Sequence, residues 1–174
     1  MAVLLPPNKA PWDGSLVFIG GPIQNAPAWH EKAINILENS IPGVTVACPK
    51  RHTDTKDTKK DFSQDMYNEQ VDWETYYLNS SYMMGGILFW LPCSETKSER
   101  PYGQTTRFEL GEWKTKFQIN PFPFSVGIEP GFPNERYLRR RLQQDCEPFG
   151  LTVKNSLKET CMDMADKIKV KFGG

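Results

Sequence analysis

Short apolar runs alternate with amphipathic stretches along the first third of the chain. The first apolar run, at residues 15–20, has the length of a strand and ends in the turn Gly20-Gly21-Pro22. Residues 28–39 then carry apolar side chains near helical spacing, and Ile41-Pro42-Gly43 ends that pattern before a second apolar run at 44–48. The pattern predicts a buried strand, a helix and a second strand.

The same alternation continues to the end of the chain. Residues 85–92 are the most apolar run, which is typical of a central parallel strand that is covered on both faces. Residues 65–81 predict a helix before it, although they hold acids among many aromatics. The remaining predicted elements are a helix at 105–117, a fourth strand at 122–128, a helix at 134–146, a short strand at 151–153 and a final helix that the capping box Ser156–Glu159 opens.

Two finer expectations concern the surface of this fold. The helix at 105–117 should pack through Phe108, Gly111 and Trp113, and residues 51–60, charged and rich in threonine, should form an exposed loop. Five strands alternating with helices predict a five-stranded parallel doubly wound sheet, flavodoxin-like or Rossmann-like, with helices on both faces. We expect one domain at 15–174 after an N-terminal extension at 1–14. Ligands of such sheets bind at the carboxyl ends of strands where the strand order reverses.

The composition of the chain limits the kinds of molecule that the protein is expected to bind. The chain has 174 residues with 21 basic and 21 acidic side chains, so it lacks the basic field that a nucleic acid polymer or an anionic membrane would attract. Its four cysteines are widely spaced and it has two histidines, a pattern that implies neither a metal nor a redox cofactor. No run is long enough to span a membrane. We therefore expect a cytoplasmic protein that binds a small molecule.

Two acids are the candidates for chemistry. Glu109 lies about one turn into the helix that follows the central strand, where the positive helix end should favour its ionised form. An ionised carboxylate can attack an anomeric carbon and form a covalent glycosyl-enzyme. Glu74, on the helix before that strand, could reach the same pocket and hold a hydroxyl or a base. Taken singly, each acid could equally be structural, Glu109 at a helix start and Glu74 on the surface.

The loop after the first strand and several side chains could bind substrate. The turn at 20–23 lets backbone approach a ligand, but it matches neither the dinucleotide fingerprint nor a phosphate-binding loop, and it could be only a tight turn. Phe89, Trp90 and Tyr102 could stack on a heterocycle, with at least one of the two strand aromatics packing in the core instead. Arg51 and Arg107 could meet a phosphate or simply face water.

Four stretches together resemble the nucleoside 2-deoxyribosyltransferase-like family: residues 17–22, 70–74, 87–92 and 103–111. The resemblance implies that Gly21-Pro22 contributes to the substrate pocket, that Glu109, in a Glu-x-Gly element, is the nucleophile, and that Glu74 helps to bind the nucleoside. Residues 126–132 also look like the fourth strand and following loop of the family. The predicted substrate-binding residues are Gly20, Gly21, Pro22, Ile23, Arg51, Trp73, Trp90, Tyr102, Gly103 and Gln104.

The resemblance implies an enzyme of glycosyl transfer or N-glycoside hydrolysis, acting on nucleosides or nucleotides through a glycosyl-glutamate intermediate. A nucleoside deoxyribosyltransferase is the first choice, and a deoxynucleoside 5′-monophosphate N-glycosidase is the alternative. The spacer between Gly103 and Glu109 is longer than is usual in active members, which motivates a second alternative, a non-catalytic sensor of a nucleotide-derived ligand. A flavodoxin-like domain would bind flavin instead. Family members complete their pockets with a neighbouring chain, so we expect a homo-oligomer without a cofactor.

Overall fold

Five parallel strands form one sheet at the centre of the molecule. The computed structural model of the chain describes residues 2–51, 63–96 and 101–172. In chain order the elements are β1 (Ala2–Leu4), β2 (Leu16–Gly20), α1 (His30–Ser40), β3 (Thr45–Ala47), α2 (Gln64–Met84), β4 (Gly85–Leu91), α3 (Gln104–Ile119), β5 (Phe124–Ile128), α4 (Glu135–Cys146), a 3-10 turn (Glu147–Phe149) and α5 (Leu157–Phe172). The strand order is β1-β3-β2-β4-β5, and every pairing is parallel.

Helices cover both faces of the sheet, as the sequence predicted. Helices α1 and α5 pack together over one face, and α2 and α3 pack over the other, with α4 beside α3. All seven residues of β4 are buried, because this strand lies between two neighbours and under helices on both sides. The predicted doubly wound α/β fold is confirmed.

The strand order reverses between β2 and β4. From β2 the chain crosses to β3 on one side, and it then returns past β2 to β4 on the other side. In a parallel sheet this reversal opens a crevice at the carboxyl ends of the two central strands, which is where ligands of such folds bind. The loops after β2 and β4 and the first turns of α2 and α3 therefore surround the candidate site.

The identity of the fifth strand differs from the prediction. Residues 151–153 do not form a strand, and this segment adds a single parallel bridge between Lys154 and Gly127. The fifth strand is β1, which lies within the segment expected to be an extension and pairs with β3 at the edge of the sheet. Three residues before Pro6 are too few to show a period of two, so the sequence pattern gives no signal for β1.

The packed face of α3 also differs from the prediction. Trp113 is buried as expected, but Phe108 is 76% exposed and Gly111 is exposed. The buried residues Thr106, Leu110, Trp113 and Phe117 follow the spacing of four, three and four that one face of a helix requires. Phe108 cannot share that face, and its exposure places Glu109 at the border between the packed and the solvent-facing sides.

The capping box at the start of α5 is confirmed. Ser156 Oγ accepts a hydrogen bond from the backbone N–H of Glu159 at 3.2 Å, and the Glu159 carboxylate accepts one from the backbone N–H of Ser156 at 3.1 Å. Of the loop predicted at 51–60, all but Arg51 lies outside the described residues. Within the described residues no helix has the length and apolar character that a bilayer span requires.

Candidate active site

The loops after β2 and β4 are tied together across the crevice. The carbonyl oxygen of Asn25 accepts hydrogen bonds from the backbone N–H of Glu95 at 2.9 Å and from Ser94 Oγ at 3.1 Å. Gly103 precedes α3 with φ of +66°, a conformation that favours glycine, and a Cβ there would lie 3.2 Å from Pro22 Cγ. The start of α3 is thus held against the β2 turn.

The structure brings Glu74 and Glu109 into one electrostatic unit, which we call the carboxylate pair. Both side chains are partly buried, on the adjacent helices α2 and α3. Burial raises the pKa of Glu109 to about 8, and the nearby charge of Glu74 and then that of Glu112 add to this effect. Like-charged carboxylates in a dry setting resist double ionisation. Burial and the neighbouring acids thus act against the ionised form of Glu109, which the helix start was expected to favour.

The positive end of α3 does not offset the effect of burial on the pKa of Glu109, and the reason is geometric. Glu109 is the sixth residue of α3, beyond the first turn in which the positive helix end acts strongly. Burial also raises the pKa of Glu74, but a hydrogen bond from Gln70 and the charge of Arg51 oppose that rise. The two acids therefore differ in setting, because Glu74 has a hydrogen-bond donor and a cation that favour its charged form, whereas Glu109 has acidic neighbours that disfavour its own.

Arg51 contacts the site through another residue and not through open solvent. Its side chain is only 8% exposed, and it donates to Gln70 Oε1 at 2.8 Å and to the Met66 carbonyl at 3.1 Å, with Glu69 at 3.7 Å. Gln70 in turn donates to Glu74 Oε1 at 2.7 Å. These bonds favour a supporting role for Arg51 behind Glu74, and its predicted contact with substrate stays a prediction. Sequence reasoning missed Gln70, although it lies one helical turn before Glu74.

The glycines of the β2 turn are explained by close packing. A Cβ at Gly20 would lie 2.5 Å from Phe89 Cε1, and a Cβ at Gly21 would overlap the Trp90 carbonyl oxygen and approach Trp29 Cζ2 to 2.6 Å. The Trp29 indole N–H also donates to the Pro22 carbonyl at 2.9 Å. These contacts require glycine whether or not a ligand binds, so the turn by itself does not indicate a ligand.

We expect Gly21→Ala to lower the free energy of unfolding by about 1–3 kcal/mol, because its Cβ would meet backbone that cannot move aside cheaply. Gly111→Ala is the matched control. A Cβ at Gly111 meets nothing within 4 Å, so alanine in this helix should stabilise the protein by up to about 1 kcal/mol. Urea denaturation of both variants measures the difference. Equal stabilities of Gly21→Ala and the wild type would contradict the packing assigned to this turn.

The predicted aromatic and polar contacts divide into two groups. Trp73 is fully buried, with its indole N–H bonded to the Asn8 carbonyl at 3.0 Å, and Trp90 is 4% exposed with its ring over Gly127. Neither ring has a free face for a base, so both predicted substrate contacts are corrected to core packing. Tyr102, beside Gly103, is partly buried, and so is Ile23. Gln104 is exposed. These three residues, with Pro22 and Gly103, remain at the crevice.

Arg107 braces the loop that follows β5. Its guanidinium donates to the Pro133 carbonyl at 2.7 Å and lies 4.8 Å from the centre of the Phe132 ring. The Phe132 ring also packs against Tyr102, with centroids 5.7 Å apart. Arg107 therefore helps to hold Tyr102 at the mouth of the crevice, which is a structural role that its sequence position did not reveal.

Comparison with known proteins agrees with this geometry. The model of the family described as "Nucleoside 2-deoxyribosyltransferase like" matches residues 14–119. The chain belongs to this family. The matched region runs from just before β2 to the end of α3, and it therefore contains the β2 turn, Glu74 and Glu109. No curated protein matches the chain.

Family membership gives the protein a nucleoside 2-deoxyribosyltransferase-like function and suggests an enzyme. The resemblance noted in residues 126–132 lies beyond the match and stays a prediction. A cleft of about 610 Å³ lies away from the carboxylate pair, on the outer side of α2, where Lys9 and Trp12 meet Tyr76 and Met83. In the parts of the chain that the structure describes, acids, histidines and cysteines do not gather in threes as a metal site would need.

Proposed function

We propose that this family member cleaves the N-glycosidic bond of a deoxynucleoside by attack of Glu109 on the anomeric carbon. The observation that supports the proposal is the carboxylate pair, two partly buried acids from α2 and α3 in electrostatic contact beside the crevice. An isolated surface acid would not have its pKa raised by burial and by a neighbouring acid, as Glu109 does. A structural glutamate would more commonly be exposed or bonded to a cation.

In the proposed reaction the Glu109 carboxylate oxygen bonds to C1′ while the C1′–N bond breaks, and the base departs with that electron pair and takes up a proton from water. The product is a glycosyl ester of Glu109 and a free base. A nitrogen of a second base then attacks C1′, loses its proton and releases the Glu109 carboxylate, which completes a transfer. Water in place of the second base gives hydrolysis. Glu74 accepts a hydrogen bond from a substrate hydroxyl and fixes the sugar.

In the part of the chain that the structure describes, the contacts of Arg51 and Arg107 favour an uncharged nucleoside over a 5′-monophosphate. Arg51 directs its guanidinium to α2, and Arg107 directs its own to the loop after β5. A phosphate would have to displace these bonds in order to pair with either cation. We therefore place deoxynucleosides first and the 5′-monophosphates second.

The proposal predicts a pH dependence for base release. Glu109 attacks only as a carboxylate, and its pKa in the free protein is about 8. Below that pH most molecules carry a protonated Glu109, so kcat/KM should rise as the pH increases through about 8 and level off above it. Base release from a deoxynucleoside between pH 5 and pH 10 measures this. A kcat/KM that is already maximal at pH 6 would contradict the role of Glu109.

A panel of nucleosides, deoxynucleosides and their 5′-monophosphates tests the function. Chromatography separates free base, which reports hydrolysis, from a new nucleoside, which reports exchange with an added second base. We expect exchange with deoxynucleosides. If the wild type releases no base from any member of the panel, yet binds one and still binds it after Glu109→Ala, the protein is a sensor and not an enzyme. Flavin colour on purification would indicate the flavodoxin-like alternative.

We also propose that the protein is a homo-oligomer whose interface borders the site. Tyr67, Val71 and Phe108 are 56%, 41% and 76% exposed, and they lie on the same two helices as the carboxylate pair. Large apolar side chains that are exposed on the surface are typical of interaction sites. Light scattering of the purified protein measures its mass. A monomer at the concentration at which activity is assayed would contradict this assembly.

A further inference from the structure

Gln70 occupies a central place in the hydrogen bonds behind the carboxylate pair. Its amide nitrogen donates to Glu74 Oε1 at 2.7 Å and to the Pro49 carbonyl at 2.8 Å, and its amide oxygen accepts from Arg51 Nε at 2.8 Å. Both N–H groups and the oxygen are therefore engaged. A flipped amide would set oxygen against two acceptors, so these partners fix its orientation.

This arrangement extends from the end of β3 to Glu74. Arg51 is buried and is itself anchored to the Met66 carbonyl, and Pro49 belongs to the buried exit of β3. Gln70 thus connects Glu74 to the buried segment that follows β3.

Among the described residues, the groups around the carboxylate pair act unequally on its two members. Arg51 and the Gln70 bond favour the ionised form of Glu74, whereas Glu112 disfavours the ionised form of Glu109. Strands β2 and β4, against which α2 packs, carry no charged side chain. When environments separate two neighbouring acids in this way, they assign the acid and base roles.

We propose that Gln70, held by Arg51 and Pro49, is a positioning residue that fixes the Glu74 carboxylate in its charged form beside Glu109. A carboxylate fixed in this way presents a hydrogen-bond acceptor of defined direction to a substrate hydroxyl. The catalytic meaning of this device rests on the proposed function. The device itself is a property of the unliganded protein, and it can be measured without a substrate.

The test is a titration of the glutamate carboxyl carbons by NMR in the unliganded protein, with the Glu74 and Glu109 signals assigned through Glu74→Gln and Glu109→Gln. In the wild type, Glu74 should titrate at the lower pH. Gln70→Met removes the donor and keeps the length of the side chain, and it should raise the lower apparent pKa of the pair by about one unit. Gln64→Met is the matched control, because Gln64 is exposed on the same helix and bonds only locally to Asn68.

The results that would overturn the proposal concern the lower apparent pKa of the carboxylate pair. A lower apparent pKa that does not move in Gln70→Met, or a shift confined to the upper one, overturns the proposal, because the second result would mean that Glu109 ionises first. If Gln70→Met does not fold, Arg51→Met should raise the same pKa, and no shift there also overturns it. Base release by the wild type from the nucleoside panel tests the proposed function separately. A pKa shift without base release leaves the positioning role standing and rejects the enzyme.

Discussion

Glu109→Gln is expected to reduce base release by at least about 10³-fold, because the amide keeps the shape of the side chain but supplies no nucleophilic oxygen anion. KM should change little, since the crevice walls and Glu74 are unaltered. The loss should therefore fall on kcat. Initial rates of base release from a deoxynucleoside, measured at pH 8 and above, test this.

Glu112→Gln is the matched control for this prediction. Glu112 lies on the same helix, within one turn of Glu109, and pairs at the surface with Lys116 at 2.6 Å. Its charge acts on Glu109 only from a distance, so this variant should keep activity within a few-fold of the wild type. Two variants with equal activity would show that Glu109 is not the nucleophile.

The same Glu109→Gln variant is expected to be more stable than the wild type at high pH. Glu109 has a pKa of about 8 in the folded protein and an ordinary value of 4.5. A folded-state pKa that is raised contributes stability below the ordinary value, and this contribution is lost as the pH rises through about 8. Glutamine cannot ionise. The free energy of unfolding of the variant should thus exceed that of the wild type by about 1–2 kcal/mol at pH 8.5, after allowance for partial solvent screening.

At pH 5 the difference should largely vanish, because Glu109 is then protonated in the folded protein and resembles glutamine. Urea denaturation at both pH values measures the effect. Glu112→Gln should be neutral or slightly destabilising at both, since it loses only a surface pair of about 0.3–0.5 kcal/mol. If Glu109→Gln destabilises the protein at pH 8.5, the burial and repulsion assigned to Glu109 are wrong. Gain of stability with loss of activity is typical of a residue kept for function.

The fold could be predicted because its signals are local and strong. The run at 85–92 is apolar without alternation, which is typical of a strand that is covered on both faces, and β4 is that strand. The order of strands and helices then placed the carboxyl ends of β2 and β4 side by side, and with them the helices that carry Glu74 and Glu109. This order was the basis for the prediction that Glu74 could reach the same pocket as Glu109.

The sequence could not predict details that depend on the orientation and the burial of individual side chains. Trp73 and Trp90 have the same aromatic character as a base-stacking residue, and only the packing of α2 and β4 shows that their faces are covered. Arg51 could equally face solvent until the structure shows it bonded to Gln70. The pKa of Glu109 depends on its depth and on the distance to Glu74, neither of which its position in α3 reveals.

The most direct test of a nucleophilic Glu109 is to trap the glycosyl-enzyme. Wild-type protein mixed with a deoxynucleoside at pH 8.5 or above, quenched within one turnover and digested, should yield a peptide that carries the mass of one deoxyribosyl group on Glu109. The adduct should disappear when a second base is added and should be absent from Glu109→Gln. Base release that proceeds with no adduct on any peptide, or with the adduct on another residue, would contradict the account.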